Sequence, residues 1–197
     1  MDYAITVNVW SRGNSDKGDE AAHWGITIHE RTAKTGQRYD LKYDERVGYY
    51  YARMDGRHVE SETSWGRCEV AKVTKSQSRM AGEVLHQYGN QAGNIPREGD
   101  GKNCQDFVVG LLSALEAECL IDRGWATFWD TQRGKPSEAV GTALQQAGKS
   151  WVPAPQRPAR EADARHGAMG PRKTTRQLDL SKFAGLGQSI GESSKRR

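Results

Sequence analysis

The period of the hydrophobic pattern changes near residue 74, and this change limits the folds that the chain can adopt. Between residues 4 and 73, apolar and polar residues alternate in about five short segments, as in half-buried strands separated by turns. After residue 74, apolar residues recur at helical spacing, and the widest apolar stripe follows Asn103. Strands grouped before helices predict an α+β fold in which a small antiparallel sheet is followed by packed helices.

The distribution of charge also divides the chain into two parts. The 197 residues carry a net charge of +4, but residues 151–197 hold ten lysines and arginines against only four acids. This segment also contains several prolines and few large apolar residues, so it cannot bury enough surface to offset the entropy lost on ordering. We therefore expect one domain over residues 1–150 and a disordered basic tail over residues 151–197.

Several classes of protein are disfavoured by the sequence. No run approaches the ~20 apolar residues of a membrane span, and the first residues lack the basic and apolar segments of a secretory signal. The three cysteines are widely spaced and odd in number, which argues against a disulfide framework. Neither a zinc-ligand spacing nor a phosphate-binding glycine loop occurs. We expect an intracellular protein, cytoplasmic or nuclear, that uses no metal and no organic cofactor; its oligomeric state is open.

Cys104 differs from the other two cysteines in its position. It follows Asn103, a favourable N-cap, and Asp106 stands three residues after that cap in a box-like arrangement. The first turn of a helix favours a thiolate and offers backbone N–H groups to an oxyanion. Cys119 falls on the apolar stripe of the same helix and Cys68 falls in a strand pattern, so we expect both in the core.

A thiolate nucleophile needs an imidazole within reach, and His23 is the preferred one of the five histidines. His23 and His29 share a strand face but stand about 20 Å apart at ~3.3 Å per residue, so at most one can serve Cys104. We interpret His29 as a surface residue. The alternatives are that His23 is a buried histidine bonded to the backbone and that Cys104 is structural.

A third polar group would orient the imidazole, and hairpin register suggests its position. If the turn is centred at residues 33–34, Asp44 lies opposite His23 on the polar strand face. A slip of two residues would bring Lys42 there, and a slip of four would bring Asp40. Asp44 is therefore the first candidate and Asp40 the second, with a solvated turn residue as the alternative for Asp44.

Two segments together resemble the permuted papain-like cysteine fold. They are His23-Trp24-Gly25-Ile26 and, some eighty residues later, Asn103-Cys104-Gln105-Asp106-Phe107-Val108. That group includes the lecithin:retinol acyltransferase family and the PPPDE peptidases, and it is a rearranged relative of NlpC-type peptidases. Small uncharacterised fungal proteins with a His-Trp strand and a late cysteine helix are also similar.

In this group a histidine on an early strand precedes a cysteine at the start of a later helix. The resemblance covers roughly residues 20–121, and it implies that Cys104 is the nucleophile and His23 the general base. The acyltransferase family has a glutamate and a histidine after its cysteine, where this chain has Gln105 and Asp106.

Two functions are consistent with these observations. The first is a cysteine hydrolase or acyl transferase that uses a Cys104–His23 dyad on an ester, thioester or amide of a small acyl or peptide substrate. The second is a non-enzymatic scaffold or interaction protein of the same fold whose basic tail binds an acidic partner or nucleic acid. Clustered positive charge gives such binding without sequence specificity, and the densest clusters are residues 172–176 and 195–197.

Overall fold

The computed structural model of the chain describes residues 2–15, 18 and 20–155. Over these residues the fold is α+β, with one six-stranded sheet and four α-helices. The strands are β1 (Tyr3–Trp10), β2 (His23–Glu30), β3 (Thr35–Asp44), β4 (Gly48–His58), β5 (Ser64–Val73) and β6 (Trp151–Pro153). The helices are α1 (Lys75–Asn90), α2 (Cys104–Ala117), α3 (Trp125–Asp130) and α4 (Ser137–Gln146), and a short 3-10 helix (Ala92–Asn94) precedes α2.

The sheet is antiparallel throughout, in the order β4-β3-β2-β1-β5-β6. The predicted antiparallel sheet and the predicted helices after it are therefore confirmed. The sheet differs from the prediction at its edge, because Trp151–Pro153, which the sequence assigned to the tail, pairs with β5. The indole of Trp151 lies against Gly66 and Gly141, where a Cβ atom would collide with the ring.

One face of the sheet packs against the helices and forms the hydrophobic core. Alternate residues of β1 and β2 supply its sheet side, as the predicted two-residue period requires. The ring of Trp24 meets that of Trp129 on α3 edge-on, with 4.9 Å between the ring centroids. The α2 side chains buried in this core are Phe107, Val108, Leu111, Leu112 and Leu115.

The opposite face of the sheet is buried and polar. Thr6, Asn8 and Thr27 lie on it, almost without solvent exposure. The segment after β4 folds over this face, and Asn8 Nδ2 donates a hydrogen bond of 2.8 Å to the carbonyl oxygen of Val59. His29 lies on the same face and is only 7% exposed, so the prediction that it is a surface residue is wrong. Alternation identifies the polar face of a strand but not the loops that cover it.

The prediction that Cys119 is a core residue is also wrong. Helix α2 ends at Ala117, and Cys119 is exposed, with a left-handed φ of 53°. Leu120 packs in the core instead, and its backbone N–H donates a hydrogen bond of 3.0 Å to the carbonyl oxygen of Leu115. Cys68 is buried in the core as predicted. Burial raises the pKa of its thiol to about 12, so Cys68 is unsuited to nucleophilic chemistry.

Among the described residues, no helix is long and apolar enough to cross a membrane. From residue 156 onward, the predicted basic tail and its charge clusters lie outside the described residues.

Candidate active site

The first residue of β2, His23, and the first residue of α2, Cys104, come together in the structure. Gln105 is buried beside them, and its Nε2 donates a hydrogen bond of 2.8 Å to the carbonyl oxygen of Ala22, the residue before His23. The thiol of Cys104 lies close enough to the imidazole of His23 to raise the pKa of that ring. Two residues that are eighty-one positions apart in the sequence therefore form one thiol–imidazole pair.

The start of α2 is fixed by side-chain caps. Asn103 Oδ1 accepts from the backbone N–H of Gln105 at 2.8 Å, and Asp106 Oδ2 accepts from that of Asn103 at 2.9 Å. Asp106 also pairs with Arg133, which ties the cap to the segment after α3. Cys104 consequently occupies the first turn, where a backbone N–H has no acceptor within the helix and is available to an incoming oxygen.

Gln105 connects three separate segments and was not identified as a site residue from the sequence. Besides its bond to Ala22, its Oε1 accepts from the backbone N–H of Gly134 at 2.8 Å. A neutral amide both donates and accepts, so one buried side chain satisfies polar groups on two loops. The signal in the sequence was an uncharged polar residue inside the first turn of an apolar helix.

Asp40 is the carboxylate that meets the imidazole. His23 Nε2 donates to Asp40 Oδ1 at 2.6 Å, and Asp40 is 1% exposed. Lys42 Nζ lies 3.8 Å from the other carboxylate oxygen. An ionised carboxylate only accepts hydrogen bonds, so Nε2 carries a proton and Nδ1 is left for the thiol of Cys104.

The expectation that Asp44 lies opposite His23 is wrong. Asp44 stands at the exposed end of β3, where its Oδ1 accepts from the backbone N–H of Arg46 at 2.8 Å. The β2–β3 register pairs Gly25 with Asp40, so the turn is centred one residue earlier than residues 33–34. With this register, Lys42 lies directly opposite His23. Asp40 lies diagonally across from His23, within reach of the imidazole ring.

The environment of His23 favours its charged form. Burial disfavours the imidazolium, but the hydrogen bond to Asp40 and the interactions with Cys104 outweigh burial and raise the pKa of His23 to about 10. At neutral pH the ring is therefore positively charged beside the thiol. Its side chain is 38% exposed, so it can still exchange protons with solvent.

Trp10 supports the imidazole from β1, the neighbouring strand. Trp10 pairs with His23 in the register, and their ring centroids lie 5.5 Å apart. The guanidinium of Arg38 lies 4.3 Å from the centroid of the Trp10 ring, so a cation–π contact holds the indole in place. These two residues were also missed by the sequence analysis, because only the pairing of β1 with β2 brings Trp10 to His23.

The arrangement brings a thiol, an imidazole and a carboxylate together, which are the kinds of group that covalent catalysis by a thiol requires. Among the residues that the structure describes, no cluster of three or more His, Cys, Asp or Glu side chains could hold a metal ion. Comparisons of the chain with protein-family models, with curated proteins and with solved structures found no match.

Proposed function

We propose that this protein is a cysteine hydrolase or acyl transferase in which Cys104 is the nucleophile. The observation that carries the proposal is the hydrogen bond of 2.6 Å from His23 to the buried Asp40, on an imidazole that also interacts with the thiol of Cys104. Each member has the role that its chemistry allows: the sulfur attacks, the imidazole carries the proton, and the buried carboxylate fixes the tautomer and orientation of the ring.

The reaction proceeds in two balanced steps. The Cys104 sulfur, as thiolate, adds to the carbonyl carbon of an ester, thioester or amide, and the imidazolium of His23 gives its Nδ1 proton to the leaving group. This step breaks the carbonyl–leaving-group bond and leaves a thioester on Cys104. Water or another acceptor then attacks the thioester, and His23 takes a proton from it. Release of the acyl product restores the thiolate–imidazolium pair.

The start of α2 supports the oxyanion that forms in both steps. The Asn103 side chain already accepts from the backbone N–H groups of Gln105 and Asp106, so the N–H of Cys104 and the positive end of the helix dipole are what favour negative charge there. Because the capping box of Asn103 and Asp106 fixes this first turn, the position of Cys104 is fixed before substrate arrives.

We also propose that the domain has the permuted papain-like arrangement. Two structural features support this proposal: the histidine lies at the start of an early strand, β2, and the cysteine begins a later helix, α2. The helix packs against the antiparallel sheet that contains the histidine strand. This order of elements is the one that the sequence resemblance implies.

The experiment that tests the proposal measures acylation of the full-length protein by a small activated ester, such as p-nitrophenyl acetate. Intact-protein and peptide mass spectrometry locate the acyl group. We expect transient acylation of Cys104, and loss of turnover in Cys104→Ala. Cys119→Ala is the matched control, because Cys119 is the exposed cysteine outside the site. Acylation of Cys119 at the same rate as Cys104, or turnover that survives Cys104→Ala, would refute the proposal.

Partitioning of the acyl group separates hydrolysis from transfer. When a small primary amine is added as a second acceptor, a hydrolase releases mainly the free acid and a transferase mainly the amide. In both cases the acyl group passes through Cys104, so the nucleophile is tested independently of the acceptor.

A further inference from the structure

A cavity of about 270 Å³ opens on the polar face of the sheet, and its lining does not include Cys104 or His23. Its wall includes Thr6 of β1, His29 of β2 and Arg67 of β5. His29 is six residues from His23 along the same strand, which corresponds to roughly 20 Å at ~3.3 Å per residue. The cavity and the thiol site are therefore separate.

Positive charge dominates the wall of this cavity. Arg31, Arg67 and Lys72 line it together with one acid, Glu69. The ion pairs of Glu69 are long, at 3.6 Å to Arg31 Nε and 3.8 Å to Lys72 Nζ. Arg67 pairs with Glu60, so three cations face two carboxylates. The excess of positive charge favours an anionic ligand.

His29 adds a polar group that lacks a partner. Its Nδ1 lies 2.8 Å from the carbonyl oxygen of Glu30 and so carries a proton, while its buried Nε2 has no hydrogen-bond partner among the described residues. Burial lowers the pKa of His29, and the positive charges of Arg67 and Arg31 lower it further, against the opposing effects of the hydrogen bond to the Glu30 carbonyl oxygen and of the Glu69 charge. The ring is therefore neutral at neutral pH. The negative charge of a bound anion would counteract the neighbouring cations and raise the pKa of His29.

The size of the cavity limits the ligand. Drug-sized molecules occupy pockets of roughly 300–1,000 Å³, whereas this one has about 270 Å³. Arginine side chains suit tetrahedral oxyanions because their N–H groups bind two oxygens at once. A phosphate group, free or on a small carrier, satisfies the size, the charge and the donor geometry.

We propose that this cavity is a binding site for a phosphate group of a small molecule. The phosphate oxygens accept hydrogen bonds from Arg31, Arg67 and Lys72, and His29 takes up a proton from solvent and donates to them through Nε2. The site is independent of the proposed reaction at Cys104.

Isothermal titration calorimetry of the full chain at fixed ionic strength tests this proposal. The probes are inorganic phosphate and glycerol phosphate, with chloride as the salt control. We expect saturable binding of at least one phosphate probe. The probe that binds more tightly shows whether the natural ligand is the free ion or an esterified phosphate.

Two variants and one control locate the binding. Lys72→Gln and His29→Gln should each weaken phosphate binding about tenfold, the usual effect of losing one hydrogen bond to a charged group. Lys72 is exposed, so its variant keeps the test valid if His29→Gln does not fold. Arg123→Gln removes one positive charge from the exposed α2–α3 connection and should leave binding unchanged. No saturable binding, or equal losses in all three variants, would overturn the proposal.

Discussion

The protonation of His23 is set by two side chains that approach it from different elements. Asp40 reaches it from β3, and Cys104 reaches it from α2. Neither contact is local in sequence, so the chemistry of the pair depends on the tertiary structure. Asp40 is buried and accepts a hydrogen bond from Nε2, so in the proposed mechanism it is a positioning residue that acts only through the imidazole.

Replacing Asp40 tests this positioning role. Asp40→Asn keeps the shape of the side chain but removes the charge that holds the Nε2 proton. We expect kcat/KM for an activated ester to fall by about 100-fold or more, the range for losing an oriented acid–base group. Asp44→Asn is the matched control and should leave the rate unchanged, because Asp44 stands at the exposed end of β3, away from His23. Equal losses in the two variants would remove Asp40 from the site.

The same contacts predict how stability depends on pH. His23 has a folded pKa of about 10, against ~6.5 in an unfolded chain. Between these values the folded state holds more protons, so the stabilisation is complete below about pH 6.5 and lost as pH rises toward 10. Urea unfolding near pH 6 and near pH 10 should show a larger decline for the wild type than for Asp40→Asn. Equal declines would show that Asp40 does not raise the pKa of His23.

The two residues of the proposed dyad could be identified from the sequence, but the third residue could not be fixed. Cys104 followed a recognisable cap, and His23 began an alternating strand. The choice between Asp44 and Asp40 depended on where the β2–β3 turn is centred, and a one-residue error there moves the opposite residue by two positions. The alternating pattern of a single strand does not show where the β2–β3 turn is centred.

At the scale of elements, the start of α2 is the part of the fold that assembles the site. Its caps fix the first turn, and Gln105 ties that turn to the segment before β2 and to the segment before α4. This arrangement places the thiol by means of buried hydrogen bonds, which a loop exposed to solvent would not provide.

Gln105→Leu tests that role. The substitution leaves the carbonyl oxygen of Ala22 and the N–H of Gly134 without their partners in a buried site. We expect the free energy of unfolding to fall by about 1–3 kcal/mol, as is usual for buried polar groups that lose a hydrogen bond. Gln145→Leu, on the exposed side of α4, should change it by less than about 0.5 kcal/mol. Chemical denaturation measures both, and a similar effect in the two variants would contradict this role.

The elements that the sequence predicted well were long and periodic. Five strands between residues 4 and 73, helical structure after residue 74 and a helix after Asn103 were expected near their observed positions. Helix α3 was missed because its six residues, Trp125–Asp130, are too few to show a helical period. Cys119 was misplaced because the apolar period continues past Ala117, although the backbone there leaves the helix.

At the scale of the whole molecule, β6 closes one edge of the sheet and joins α4 to it. The Trp151 ring fits against two glycines, one on β5 and one on α4. A strand of three residues is too short to be recognised in a sequence, and prolines follow it. The sequence analysis therefore placed the boundary of the domain before Trp151. The described structure places this strand inside the domain.

Trp151→Ala tests whether this edge contributes to stability. Removing the indole leaves unfilled space beside Gly66 and Gly141, so we expect the free energy of unfolding to fall by about 2 kcal/mol or more. Val152→Ala, at an exposed position on the same strand, should have a small effect. Comparable losses in both variants, measured by urea denaturation, would show that the Trp151 ring contributes nothing specific.

The central claim is that His23 activates the thiol of Cys104 as a nucleophile. The most direct test is the rate of iodoacetamide labelling at about pH 6, resolved by peptide mass spectrometry, because an ordinary thiol with a pKa near 8.5 is almost entirely protonated there. We predict that Cys104 reacts at least tenfold faster than the exposed Cys119 and that His23→Gln removes this difference, in line with the dependence of thiol reactivity on the thiolate fraction. Labelling of Cys104 no faster than Cys119, or unaffected by His23→Gln, would contradict the claim.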